Sequence, residues 1–147
     1  MKILIVLSVL VAVSNAKILG RCDVVDIIKT SKLKQFIQYS VADWVCLAYH
    51  ASGFNTMEVG RETKDGSIWA TDYGIFQISS RYWCNNDQTP DAVNGCGIRC
   101  SELLGDDLQS DIECAAKIVS QEGMEAWSTW VENCKNKWIN YYTYFCF

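Results

Sequence analysis

Residues 46 to 54 read CLAYHASGF and contain the only histidine of the 147-residue chain, His50, four positions after Cys46. A thiolate beside an imidazole is a nucleophile–base pair, so this stretch first suggests covalent catalysis. A second candidate is Asp72 in TDYG at 71 to 74, a carboxyl that could support acid–base or charge-stabilising work. Which chemistry survives depends on the cysteines. There are eight, at 22, 46, 84, 96, 100, 114, 134 and 146.

The chain opens with MKILIVLSVLVAVSNA, which has a basic Lys2, an apolar run from Ile3 to Val13 and small residues before Ala16. This pattern predicts a secretory signal peptide over residues 1–16, cleaved after Ala16, and a single domain over 17–147. The run is too short to span a bilayer. An even cysteine count behind such a leader predicts four disulfides in a secreted, extracellular protein. A disulfide sulfur is no nucleophile, so Cys46–His50 is not a catalytic pair. CGIRC at 96 to 100 has no histidine near a second cysteine pair and does not make a zinc site. Neither a metal nor a cofactor is expected.

The formal net charge is −4, with 13 Lys and Arg against 17 Asp and Glu, and no basic block. Nucleic acid and anionic membrane surfaces are therefore poor partners. No repeat, linker or low-complexity tract interrupts the chain, and Pro90 is its single proline. A monomer is expected.

The elements that must hold these residues are legible. Apolar positions 24, 25, 27 and 28 with a polar face at Asp23, Asp26 and Lys29 predict a helix beginning near Arg21. Ser40-Val-Ala-Asp43 is a capping-box-like start to a second helix through Trp44, Val45 and Ala48, and Gly53 is its stop. Lys64-Asp-Gly66 is a turn, and the alternation through Thr71–Ile78 predicts strands of a small antiparallel sheet. Residues 84 to 100 form a loop that disulfides must hold. Asp106 or Asp107 caps a helix carrying Leu108, Ile112, Ala115, Ala116 and Val119, and a last short helix runs from about Met124 to Asn133. Helices at both ends and a sheet between them make the class α+β.

Several segments together carry a resemblance: GRC at 20–22, WVC at 44–46, SGFNT at 52–56, TDYGIFQIS at 71–79, WC at 83–84, CAAKIVS at 114–120 and GMEAWSTW at 123–130. With all eight cysteines in order, they resemble the c-type lysozyme and α-lactalbumin family from Lys17 to Cys146. The resemblance implies two lobes with a saccharide cleft between them. It also implies the disulfides Cys22–Cys146, Cys46–Cys134, Cys84–Cys100 and Cys96–Cys114. It assigns cleft-lining roles to Gln77, Ser79, Tyr82, Trp83, Ala126 and Trp127, with Tyr82 standing where lysozymes often have tryptophan. Asp72 matches the second catalytic carboxylate.

The first carboxylate is missing. In active lysozymes the helix beginning near WVC ends with a glutamate, and that position is Ala51 here. His50 lies one residue early, about 100° around the helix. Retaining glycosidases, of which lysozyme is the type case, need two carboxyls roughly 5 Å apart, one of them a proton donor. An alanine methyl donates nothing. The hairpin between Phe54 and Asp72 is also longer by about four residues than in common lysozymes, around Ile68, Trp69 and Ala70, and is expected to cover part of the cleft. At the α-lactalbumin calcium loop, Gly105 and Ser110 replace two carboxylates and only Asp111 remains, so calcium binding is not expected.

The reading is a secreted lysozyme-like protein without efficient muramidase activity, whose cleft takes N-acetylglucosamine-type saccharides, with a protein or cell-surface partner as a further expectation. One alternative is a weak or atypical peptidoglycan hydrolase with an acid recruited from Glu58 or Glu62. The other is a non-catalytic glycosyltransferase regulator, since Tyr49-His50 resembles the aromatic–His pair through which α-lactalbumin meets its partner. For His50 itself, the simpler expectation is a surface or half-buried residue at a helix end.

Overall fold

A computed structural model describes residues 17–147. The expected signal peptide, residues 1–16, lies outside the described residues. Among the described residues no helix is long and apolar enough to cross a membrane.

The first helix, α1 (Arg21–Thr30), buries Val24, Val25 and Ile28. Ser31 ends it, its hydroxyl donating to the Ile28 carbonyl and accepting from the Leu33 amide at the start of a 3-10 turn over Lys32–Gln35. The second, α2 (Val41–Ser52), opens on the predicted capping box. Ser40 Oγ accepts from the Asp43 amide at 3.1 Å and Asp43 Oδ2 accepts from the Ser40 amide at 2.8 Å. Asp pairs here as Glu commonly does, satisfying two amides that the first turn leaves without helical partners. The helix stops at Gly53, whose φ of 61° is the left-handed conformation a side chain disfavours. Between these ends α2 buries Trp44, Val45, Cys46, Leu47 and Ala48 and forms the central rod of the core.

The sheet has three antiparallel strands in the order β1 (Val59–Lys64), β2 (Ser67–Tyr73) and β3 (Ile78–Ser79). Asp65 and Gly66 join β1 to β2 with φ of 53° and 79°, the two positive values of a tight hairpin turn. The strand expected through Ile78 breaks after Tyr73. Gly74 to Gln77 fold into a turn, and the chain resumes pairing at Ile78. The alternation was real on either side of a reversal it could not mark. Gly74 is required here: its φ is 78°, and a Cβ would sit 2.1 Å from the Leu103 carbonyl oxygen.

The cysteine loop contains a short parallel pair, β4 (Cys84–Asn85) with β5 (Ile98–Arg99), followed by a 3-10 turn over Cys100–Leu103. The third long helix, α3 (Gln109–Glu122), starts after the two candidate caps. Asp107 Oδ1 does accept from the Gln109 amide at 3.0 Å, whereas Asp106 turns away to pair with Lys17 at 2.8 Å. The last expected helix is split. A 3-10 turn over Met124–Ala126 and α4 (Ser128–Asn133) are separated by Trp127 in extended conformation, which turns its indole into the molecule. The class is α+β, as expected.

The four disulfides are Cys22–Cys146, Cys46–Cys134, Cys84–Cys100 and Cys96–Cys114, and no described cysteine is free. The first two close loops of 124 and 88 residues and tie the C-terminal segment to α1 and α2. Each such bond typically contributes about 2–4 kcal/mol in a domain this small.

One buried charge site sets a pH limit on stability. Asp111, in the first turn of α3, is fully buried and neither carboxyl oxygen has a hydrogen-bond partner. Burial pushes its pKa up to about 8, its own backbone opposing the rise and Asp107 adding to it. The folded state therefore holds the proton more tightly than the unfolded chain, and stability falls as pH rises from about 4 towards 8. Asp111→Asn, which cannot ionise, should raise the melting temperature at pH 8 and change it little at pH 4. Calorimetry at both pH values checks this; an equal change at the two would contradict it.

Candidate saccharide cleft

The groove between the lobes has a volume of about 580 Å³ and brings together residues far apart in sequence. The end of α2 supplies His50 and Ala51, and the sheet supplies Glu62, Asp72, Gln77, Ile78 and Ser79. The segment after β3 supplies Tyr82 and Trp83, and the far wall is made by Glu122, Ala126, Trp127, Ser128 and Thr129. Gln77, Ser79, Tyr82, Trp83, Ala126 and Trp127, the residues that the family resemblance places in a cleft, line this groove together with Asp72 and with Ala51 at the end of α2.

The walls are fixed by donors aimed at the Gly74–Gln77 turn. Trp127 Nε1 donates to the Phe76 carbonyl at 2.8 Å in a buried bond. Ser52 Oγ donates to the Ile75 carbonyl at 2.7 Å, at the end of α2 next to Ala51. Gln77 Nε2 donates to the Glu58 and Gly74 carbonyls at 3.0 and 2.9 Å. Behind them Trp44 meets Phe76 and Trp127 edge-on, with ring centroids 5.8 and 6.2 Å away. Trp127 is thus both core and cleft wall.

The long hairpin does not lie over the cleft as expected. In the β1–β2 ladder Glu62 pairs with Ala70 and Thr63 with Ile68, leaving Trp69 as the unpaired residue of a bulge. A bulge re-aims its side chain. Trp69 does not line the cleft. It stands behind Tyr82, centroids 6.0 Å apart, with the Arg81 guanidinium 4.7 Å over its ring. Tyr82 remains about half exposed on the cleft side, braced by Trp69.

What the hairpin places in the cleft is Glu62. Gly60 pairs with Asp72 and Asp72 with Ser79, so Glu62, two residues on from Gly60, shares the face of Asp72. Ser79 Oγ donates to Glu62 Oε2 at 3.3 Å. Burial pushes the Asp72 pKa up to about 8, the neighbouring Glu62 carboxyl adds to the rise, and the nearby Ser79 hydroxyl opposes it. Asp72 therefore holds its proton more tightly than a free aspartate. The sequence named Glu62 only as a possible recruited acid; its contact with Asp72 depends on strand register and was not readable from spacing. Glu58, the other such candidate, lies outside the cleft lining and accepts from Asn55 Nδ2 at 3.2 Å.

His50 reaches the rim of the cleft, and its Nε2 lies 3.0 Å from the Tyr142 hydroxyl. Burial, then Lys137, lowers its pKa, so the ring is neutral at pH 7. Tyr49 packs against His50, Phe54 and Tyr142.

The described residues contain no group of three or more His, Cys, Asp or Glu placed to hold a metal ion. At the loop compared with the calcium site, Gly105 has no side chain to offer, and Asp111 is buried beneath α3.

The sequence is similar to those of known proteins. The family model "C-type lysozyme/alpha-lactalbumin family" matches residues 17–146. The chain belongs to that family. Among its relatives are lysozyme C-2 of Mus musculus, 43% identical, and lysozyme C-2 of Sus scrofa, 46% identical, each aligned over 99% of both chains. Lysozyme C-1 of Sus scrofa is 46% identical over 88% of this chain and 98% of its own length. Within this family fold, Glu62 beside Asp72 and Ala51 at the end of α2 are the features that bear most directly on chemistry.

Carboxyl-carbon NMR should find Asp72 titrating near pH 8. Glu62→Gln removes a neighbouring charge and should lower that midpoint, though not to the value of a free aspartate, because burial remains. An unchanged midpoint would contradict the coupling.

Proposed function

We propose that the protein is a secreted, saccharide-binding member of its family that does not hydrolyse its ligand efficiently. The observation that carries this reading is the state of the two catalytic positions. Ala51 offers no proton at the end of α2. Asp72, which must be ionised to support an oxocarbenium-like centre, is buried beside Glu62, and both effects disfavour its ionised form.

Glu62 does not replace the missing acid. It sits on the same sheet wall as Asp72, whereas a retaining glycosidase needs its acid and its nucleophile on either side of the scissile bond. The binding surface is retained. Tyr82 offers an exposed ring for the apolar face of a sugar, backed by the largely buried Trp83 and Trp127, and Gln77 and Ser79 are held beside them. This fits N-acetylglucosamine-type saccharides, the ligand class that the family resemblance implies. Recognition at a cell surface is the corresponding role. Regulation of a glycosyltransferase gains less support, because His50 is already engaged by Tyr142.

Turnover on bacterial cell walls tests the proposal. The wild-type protein should be at least about 100-fold slower than an ordinary lysozyme, the low end of what a general acid contributes. Ala51→Glu alone should recover little, because Glu62 and burial still disfavour the ionised form of Asp72. The double variant Ala51→Glu/Glu62→Gln should be clearly more active than either single one. Robust wild-type lysis that disappears in Glu62→Gln would show a relocated acid and overturn the reading.

A further inference from the structure

We propose that Glu62 makes the cleft prefer saccharides carrying a free, protonated amine, of glucosamine type, over fully N-acetylated ones. The inference rests on the saccharide-binding reading above and concerns only which sugar the cleft selects.

Three independent observations point the same way. The first is charge. The titratable side chains lining the cleft are Glu62, Asp72, Glu122 and His50, and no Lys or Arg is among the described lining residues. His50 is neutral and engaged by Tyr142. The negative charge that Glu62 brings has no cation beside it in the cleft.

The second is hydrogen-bond polarity. On the sheet wall the donors around Asp72 are turned inward. Ser79 Oγ donates to Glu62, both bonds from Gln77 Nε2 go to backbone carbonyls, and Trp127 Nε1 is spent on Phe76. The Glu62 carboxylate, exposed at the mouth of the groove, remains as the acceptor that a ligand can meet. An acetamido group presents one N–H and a carbonyl oxygen to such a surface, whereas an ammonium presents three donors and a charge.

The third is shape. The Glu62 carboxylate lies in the same cleft as the exposed ring of Tyr82, which suits a flat sugar face and not a bare ion. A divalent cation needs about six to eight oxygen ligands, which this site does not supply. An amine borne on a sugar ring satisfies both the carboxylate and the aromatic ring.

The test is calorimetric titration, at low ionic strength and mildly acidic pH, with the N-acetylglucosamine tetrasaccharide and its fully de-N-acetylated counterpart. The wild-type protein should bind the free-amine tetramer about tenfold more tightly, the scale of one charge-assisted hydrogen bond. Glu62→Gln should bring the ratio close to one. Asp26→Asn, an exposed change on α1, none of whose residues lines the cleft, should keep it. Near-equal binding by wild type, a preference that persists in Glu62→Gln, or one lost equally in Asp26→Asn would overturn the inference while leaving saccharide binding intact. If neither tetramer binds, the saccharide-binding reading itself fails and this inference falls with it.

Discussion

The hydrogen bond from Trp127 Nε1 to the Phe76 carbonyl, 2.8 Å long and buried, is the constraint from which the cleft takes its shape. A buried carbonyl left without a partner is costly, so the bond fixes the Gly74–Gln77 turn against the helical lobe. The turn then fixes both ends of the site. Upstream it sets the end of β2 and therefore Asp72; beside it, Ser52 of α2 donates to Ile75 and holds Ala51 next to the same segment. Trp44 and Phe76 pack edge-on behind the bond and keep water from competing for it. The same need for the indole to reach inward explains why the last helix breaks at Trp127.

A rigid frame of this kind lets side-chain identity alone decide function. The cleft can be kept, with its rings and its held amides, while its chemistry changes through two positions. At Ala51 a proton donor is absent. At Glu62 a second carboxyl beside Asp72 disfavours the ionised form of that residue. Neither change disturbs the core. Ala51 packs against its edge, and Glu62 is exposed at the mouth of the groove.

Much of this was legible in the sequence because it rests on local rules. The capping box at Ser40 and Asp43, the stop at Gly53 and the Asp65-Gly66 turn are decided by a few neighbouring residues, and each appears where expected. The cleft residues and the disulfide pairs were readable only through family resemblance, since eight cysteines alone allow many pairings. The misses are of one kind. The reversal at Gly74, the bulge at Trp69 and the break at Trp127 each arise from contacts between distant segments. The bulge mattered most: Trp69 went behind Tyr82 instead of over the cleft, and the register left Glu62 beside Asp72. Alternation along β1 cannot show which face a strand presents when its partner carries an extra residue.

The central claim is that the cleft binds amino-sugar chains without cutting them. Equilibrium dialysis of the mature protein against the N-acetylglucosamine tetrasaccharide, followed by mass spectrometry of the recovered sugar, tests both halves at once. The account predicts saturable binding with the tetrasaccharide recovered intact. Failure to bind, or recovery of shortened fragments at a rate comparable with that of an ordinary lysozyme, would contradict it.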